Sequence, residues 1–157
     1  MGLNKTWCAL TTSAVLLSLP PAAAQRGPAT TLTADDHVQI QQLVARSGYA
    51  LDTGANDGAM FADLFTPDGA YGTAKGRASL VALARTRTDG IAGRHFASNV
   101  IIRATDRGAT GTQYEAVFAV GQDGRQSTII RTGRYEDTYA KTAAGWRFSR
   151  KELEHHI

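Results

Sequence analysis

Arg94-His95-Phe96-Ala97-Ser98-Asn99-Val100 divides the chain into two kinds of sequence. Before this stretch, apolar residues recur at a spacing near 3.6, which predicts helices. From His95 onward the spacing is close to 2, and the β-branched run Val100-Ile101-Ile102 is typical of a buried strand. Helices followed by a run of strands predict an α+β fold.

Three helices are predicted on the N-terminal side of this stretch. The first has Thr33 as its N-cap, turns one apolar face inward and ends near Asp52. Shorter helices are expected over residues 57–64 and 78–87, with turns at 66–69 and 75–77.

Four strands are predicted on the C-terminal side. They are expected over residues 96–103, 109–120 and 127–141 and from Trp146 onward, with turns at 106–108, 121–124 and 142–145. Strands joined by short turns form an antiparallel meander, and a curved meander wrapped on the three helices leaves a concavity. Such concavities are preferred ligand sites.

The bulk composition indicates one ordinary globular domain. The chain has 157 residues, 43% of them hydrophobic and 20% charged, and a net charge of +3. Lysines and arginines are scattered, so a nucleic-acid groove is not indicated. The sequence has no nucleophile elbow, phosphate-binding loop, Rossmann glycine pattern or zinc-protease helix, and no cofactor or metal is expected. We interpret the terminal pair His155-His156 as a solvated tail.

The N-terminus has the pattern of a secretory signal peptide. Lys5 precedes an apolar run that ends at Pro20-Pro21, and Ala22-Ala23-Ala24 fits a cleavage site. The run is about 13 residues long, which is short for a membrane span. We therefore expect a secreted or periplasmic protein that has no membrane contact after cleavage; an uncleaved anchor is the alternative. The predicted organisation is a signal peptide (1–24), a linker (25–32), one domain (33–152) and a tail (153–157).

Asp52 and His95 are the candidate catalytic residues. Histidine has an unperturbed pKa of ~6.5, close to working pH, so it takes and returns a proton easily. A buried carboxylate on one ring nitrogen fixes the tautomer and stabilises the imidazolium. The hypothesis is that the two side chains meet in a pocket as a proton-transfer pair. The structural alternative is a surface carboxylate at a helix end and a histidine bonded to backbone in the core.

The order of segments resembles the SnoaL-like branch of the NTF2-like superfamily, which are cone-shaped α+β barrels. Four segments carry the resemblance: Tyr49-Ala50-Leu51-Asp52 with residues 57–69, Lys75-Gly76-Arg77 before a helix, Arg94 to Asn99, and Gly133 to Asp137 leading to Gly145-Trp146-Arg147-Phe148. The resemblance covers residues 36–150 and implies a cone with its ligand site inside.

Within that superfamily the chain is most similar to the scytalone dehydratase and hexachlorocyclohexane dehydrochlorinase groups. Both use an Asp–His pair, and Asp52 and His95 stand at the matching positions. Residues that orient substrates differ: Leu51 stands where dehydratases have Tyr, Ser47 where the dehydrochlorinase has Lys, and Gly133 and Tyr135 where dehydratases have Ser and Asn. The resemblance thus implies proton-transfer chemistry and leaves the particular reaction open.

Other pocket residues follow from the alternation of side chains along a strand. Odd positions from Arg131 to Tyr139 share one face, and the dehydratase comparison turns that face inward. Arg131 is then expected either to hold a carboxylate or enolate oxygen or to form a salt bridge with Glu115. Tyr135 is expected to donate to a substrate oxygen or to fill the core. The candidate substrate-binding residues are Tyr49, Asn99, Tyr114, Arg131 and Tyr135.

Two functions of different classes are expected. The first is a cofactor-independent lyase or isomerase that abstracts a proton from a small, largely apolar molecule, such as an aromatic or polyketide-like one. The alternative is a non-catalytic secreted ligand-binding module or dimeric scaffold of the same fold. A small subunit of a multicomponent oxygenase is a third class, which the signal peptide argues against. A homodimer formed through the open sheet face is expected in either case, because the family commonly dimerises in this way.

Overall fold

The computed structural model describes residues 31–88, 93–121 and 127–155. Its elements are α1 (Ala34–Thr53), α2 (Ala59–Ala62), β1 (Phe65–Tyr71), β2 (Ala74–Lys75), α3 (Gly76–Thr88), β3 (Gly93–Thr105), β4 (Gly108–Val120), β5 (Ser127–Thr142) and β6 (Gly145–His155). The predicted signal peptide, most of the predicted linker, most of the turn at 121–124 and His156 lie outside the described residues, as does the side chain of His155. None of the described helices is both long enough and apolar enough to span a membrane.

The sheet has six strands in the order β2-β1-β6-β5-β4-β3. Strands β3 to β6 form the predicted antiparallel meander, and β1 is added parallel to β6. Helix α1 packs against β3 and β6, and α3 packs against β1. The α+β fold with a curved, unclosed sheet and N-terminal helices is thus confirmed.

Both ends of α1 are fixed by specific contacts. At its N-terminus, Thr33 and Asp36 form a capping box. The Asp36 carboxylate also accepts hydrogen bonds from Lys141 Nζ at 2.7 Å and Trp146 Nε1 at 2.9 Å. At its C-terminus, Gly54 has a φ of 57° and its N–H donates to Ala50 O, which ends the helix at Thr53, one residue after Asp52.

A buried polar group lies beneath the aromatic core. Lys151 and Asp137 approach to 3.6 Å between Nζ and Oδ1, and their side chains are 1% and 0% exposed. Tyr139 donates its hydroxyl hydrogen to Asp137 Oδ2 at 2.9 Å. Burial raises the pKa of Asp137, and Lys151 opposes that rise. The inner face of the sheet is therefore only partly apolar.

Two predicted boundaries are wrong near β1. Residues 66–69 were expected as a turn but belong to β1, where the register with β6 slips between Phe65 and Ala70. Their turn-forming composition produces an irregular strand here. Helix α2 spans only 59–62, because Asn56, Asp57 and Gly58 all have positive φ and delay its start.

The C-terminal boundary also differs from the prediction. Strand β6 continues to His155, and Leu153 pairs with Tyr135 on β5. Residues 153–155, expected as a tail, are therefore part of the sheet.

The outer face of the sheet carries exposed apolar side chains. We call this group the outer patch; its members are 44–57% exposed and are Phe96, Ile101, Tyr114, Ile129 and Ile130. The Phe96 ring also meets the Phe118 ring edge to face, with 5.2 Å between centroids. Exposed apolar patches are common at protein interaction sites.

The contacts of Asp36 predict an acid-dependent loss of stability. Hydrogen bonds from Lys141, Thr33 and Trp146 hold the pKa of the Asp36 carboxyl well below its ordinary value of 3.8. A lowered folded-state pKa contributes stability that is fully present above the unfolded value and is lost as pH falls below it. We expect Asp36→Asn to lower the urea midpoint at pH 7 and to flatten the decline between pH 4 and pH 2. Urea titrations followed by tryptophan fluorescence measure both. Asp35→Asn, on the exposed side of the same turn, is the control, and an unchanged acid slope in Asp36→Asn would contradict the prediction.

Candidate active site

Strand β3 carries His95 on the inner face of the sheet. In the register with β4, His95 lies opposite Val117 and Ala97 lies opposite Glu115. Val117 and Glu115 are 5% and 6% exposed, which identifies the inner face. The side chain of His95 is 8% exposed.

Asp52 and His95 are in direct contact, 43 residues apart in sequence. Asp52 Oδ1 lies 2.6 Å from His95 Nδ1. The backbone N–H of His95 donates to both carboxylate oxygens, at 3.1 and 3.2 Å. A carboxylate only accepts, so Nδ1 carries the ring hydrogen and Nε2 is left as the acceptor.

A glycine allows α1 to approach β3 this closely. A Cβ added at Gly48 would lie 3.1 Å from His95 Cβ and 3.3 Å from His95 O. Any side chain there would press on the histidine itself. Gly48 lies one helical turn before Asp52, so the glycine and the carboxylate face the same strand.

A cavity of about 260 Å³ lies between α1 and the inner face of β3 and β4. It is lined by Gln41, Val44, Ala45 and Gly48 from α1, His95, Phe96, Ala97 and Val100 from β3, and Glu115 from β4. His95 Nε2 is buried and has no hydrogen-bond partner among the described residues. An imidazole with Nδ1 held by Asp52 and Nε2 without a partner among the described residues is thus part of the wall of a small cavity.

Glu115 is a second ionisable group in the cavity wall. Its side chain is 5% exposed, and Arg131 Nη2 lies 3.4 Å from its Oε1. Of the two positions expected for Arg131, the structure shows the salt bridge with Glu115. Sequence reasoning treated Glu115 only as that partner. The signal that could have identified it is its inward position in the alternating run Gln113, Glu115, Val117.

Tyr135 is buried in the core. It is 1% exposed, and its hydroxyl lies 2.9 Å from the hydroxyl of Tyr71. Lys151 Nζ sits 4.1 Å from the centroid of its ring. Burial and the neighbouring Tyr71 raise the pKa of Tyr135. Of the two positions expected for Tyr135, the structure shows the one in which it fills the core, and Tyr135 does not line the cavity.

Tyr49, Asn99 and Tyr114 do not line the cavity, which corrects their predicted positions. Tyr49 and Tyr114 are 61% and 44% exposed, and Tyr114 faces outward between two inward residues of β4. Asn99 is exposed, has a φ of 53° and lies in a bulge between Ser98 and Ile101. The bulge breaks the alternation that counted four residues from His95 to the same face.

Comparisons with known proteins agree with this fold. A family profile described as a SnoaL-like domain matches residues 32–152. An NTF2-like protein with a cystatin-like fold from Novosphingobium aromaticivorans is 31% identical, with a TM-score of 0.65 over 76% of this chain and 80% of that one. Rv3472 of Mycobacterium tuberculosis, a protein described as of unknown function, is 27% identical, with a TM-score of 0.69 over 78% of this chain and 72% of that one.

A more distant structure shows the same fold. ActVI-ORFA from Streptomyces coelicolor is 21% identical, with a TM-score of 0.68 over 80% of this chain and 97% of that one. No curated protein matches the chain. The predicted NTF2-like, SnoaL-like fold is confirmed.

The contact with Asp52 predicts the tautomer of His95. In protein labelled with ¹⁵N at histidine, we expect His95 above its pKa to be protonated at Nδ1 and not at Nε2, because the carboxylate accepts the Nδ1 hydrogen. Asp52→Ala should remove this preference, whereas Asp35→Ala, on the exposed side of α1, should keep it. The resonances are assigned by their loss in His95→Ala. An Nε2-protonated ring in the wild-type protein would contradict the prediction.

Proposed function

Because the chain belongs to the SnoaL-like family, which includes polyketide cyclases and isomerases, we propose that it is a cofactor-independent lyase or isomerase. Asp52 and His95 are its proton-transfer pair. The observation that carries the proposal is the 2.6 Å contact between these side chains, with His95 Nε2 unpartnered at a cavity. The signal-peptide pattern of residues 1–24 extends the proposal to a secreted or periplasmic enzyme.

The imidazole is the base in this mechanism. Nε2 takes a proton from a carbon next to a carbonyl or next to a carbon that bears a leaving group. Asp52 holds the ring and stabilises the imidazolium that forms, without itself being protonated. The imidazolium then returns the proton to a second carbon, to an enolate oxygen or to the leaving group. Isomerisation, cyclisation and elimination all begin with the proton abstraction, and general-base assistance of this kind contributes ~10²–10⁴-fold to the rate.

The cavity favours a small and largely apolar substrate. Its volume is about 260 Å³, and Val44, Phe96 and Val100 give it apolar walls. A 26% identical relative from Catenulispora acidiphila, with a TM-score of 0.66 over 77% of this chain and 95% of that one, was solved in complex with S-DNPA. That complex supports a ligand-binding role for this chain as well.

A non-catalytic ligand carrier is the competing function. A carrier needs an apolar cavity but has no need of a tautomer-fixed imidazole in its wall. The contact of Asp52 with both the ring and the backbone of His95 favours the enzyme.

Proton abstraction can be tested without knowledge of the natural substrate. 2-Tetralone is a small aromatic ketone with acidic hydrogens, and their exchange with D₂O is visible by ¹H NMR. We expect the wild-type protein to accelerate this exchange, and His95→Ala and Asp52→Asn each to lower the acceleration at least ~10²-fold. Circular dichroism checks that both variants are folded. His37→Ala, at the other end of α1, is the matched control and should exchange at the wild-type rate. Full activity in either site variant would contradict the proposal.

We also propose that a second copy of the chain covers the outer patch. The patch lies on a sheet face, and sheets stack face to face at about 10 Å. A two-fold axis brings the same apolar surface of both copies together, so that each copy removes the other's apolar side chains from water. Phe96 belongs both to the patch and to the cavity wall, so the second copy would border the site.

Sedimentation velocity tests the dimer. We expect the wild-type protein to sediment as a dimer at micromolar concentration and Ile129→Glu combined with Tyr114→Glu to sediment as a monomer, because the charges would be buried against each other. Val38, an apolar residue of α1 that is 54% exposed, supplies the control Val38→Glu, which should remain dimeric. A monomeric wild-type protein would contradict the proposal.

A further inference from the structure

Glu115 stands in an open position of the cavity wall. Its cross-strand neighbours are Ala97 on β3 and Gly133 on β5, so no large side chain covers it from either side. It is nevertheless 6% exposed and shares the cavity with the catalytic imidazole. A buried carboxylate is costly unless it is paired, and Arg131 meets only Oε1, at 3.4 Å, so a ligand donor in the cavity would add to that pairing.

The charges around the cavity add up to a negative site. Asp52 is paired with the ring of His95, which is neutral when it acts as a base, and Glu115 is paired with Arg131. Two carboxylates therefore face one guanidinium. An anionic ligand would meet a second buried negative charge, and Arg131 is already engaged by Glu115 at 3.4 Å. The role of an anion-holding residue, considered for Arg131, is therefore not supported.

A cationic ligand is also disfavoured. Arg131 supplies a positive charge beside Glu115, and His95 becomes positive when it takes a proton. Once His95 has taken a proton, the two positive groups balance the two carboxylates, so a cationic ligand gains no net attraction at the stage when the imidazolium forms.

We propose that Glu115 is a specificity-determining residue that selects a neutral, hydroxyl-bearing ligand and excludes carboxylates. An ionised carboxylate accepts hydrogen bonds and cannot donate, so its ligand partner must carry a hydrogen. A hydrogen bond from a hydroxyl to a buried carboxylate is charge-assisted and strong. The class of ligand is thus an alcohol or phenol with an apolar ring system. This inference rests on the proposed use of the same cavity by the enzyme.

Three probes of one shape separate the possibilities. 2-Naphthol is a neutral donor at pH 7.5, 2-naphthoate is an anion and 2-naphthylmethylammonium is a cation. Their dissociation constants are measured by following the His95 imidazole resonances. We expect 2-naphthol to bind the wild-type protein at least ~10-fold more tightly than either charged probe, the factor that corresponds to about 1.4 kcal/mol.

Glu115→Gln tests the role of the carboxylate. It keeps the size of the side chain and removes its charge, so the preference for 2-naphthol over 2-naphthoate should fall at least ~10-fold. Glu136→Gln on the neighbouring strand, where the side chain is 44% exposed and salt-bridged to Arg134, is the matched control and should leave the preference unchanged. If Glu115→Gln does not fold, Arg131→Met is used instead. It leaves Glu115 unpaired and should strengthen the rejection of 2-naphthoate.

Several outcomes would overturn the inference. They are equal or tighter binding of 2-naphthoate, tightest binding of the ammonium probe, absence of any probe binding up to the solubility limit, and an unchanged preference in Glu115→Gln. The probe preference is measured without turnover. Because His95→Ala has no imidazole resonance, probe binding to that variant is followed by the backbone amide resonance of Ala97. If the protein does not accelerate 2-tetralone exchange but still prefers 2-naphthol, the proposed function fails and the role of Glu115 stands. If exchange is accelerated but the preference is absent, the role of Glu115 fails and the proton-transfer pair stands.

Discussion

The close packing of α1 on β3 at Gly48 is the constraint on which the site depends. A Cβ at Gly48 would lie 3.1 Å from His95 Cβ, so any other residue there would push the helix or the histidine by a few tenths of an ångström. Asp52 follows one turn later and binds both the ring and the backbone of the same histidine. At the opposite end, Asp36 joins α1 to β5 and β6 through Lys141 and Trp146. The helix is therefore held at both ends by carboxylates that accept from different strands, and this fixes its position over the sheet.

Local patterns were sufficient for most of the fold. The N-cap at Thr33, the long amphipathic helix and the alternating strands depend on neighbours within a few residues, and the sequence displays these directly. The pairing of Asp52 with His95 is not local; it was predicted because the resemblance supplied the topology. Predictions that counted along a strand failed where the backbone departs from regularity. The positive φ of Asn99 and the bulge beside it leave no signal in hydrophobic periodicity, so the side chain was assigned to the wrong face.

Inward-facing charge is the second kind of feature, for which two sequence signals disagree. Glu115, Asp137 and Lys151 are all at least 94% buried, yet each is of a type that is usually solvated. The alternation along each strand places these residues inward, whereas their charge predicts an exposed position. Burial becomes possible only where an oppositely charged partner is also buried nearby. Arg131 pairs with Glu115, and Lys151 pairs with Asp137. Those partners come from neighbouring strands. The meander predicts which strands are neighbours, but the exact register, which shifts at irregularities in β4–β5 and β5–β6, is not visible in a single sequence.

Interior charge occurs both around Asp137 and around His95, and the two places differ in the side chains that surround them. Around Asp137 the positive charge of Lys151 balances the carboxylate, and Lys151 Nζ also lies 4.1 Å from the centroid of the Tyr135 ring. Around His95 the neighbours are Gly48, Ala97 and, beyond Glu115, Gly133, which leave room that no protein side chain occupies. An unpaired polar atom in a closed core costs about 1–3 kcal/mol. His95 Nε2 carries the same cost, but its residue lines a cavity, so under the proposed function a substrate that pairs with Nε2 would recover that cost.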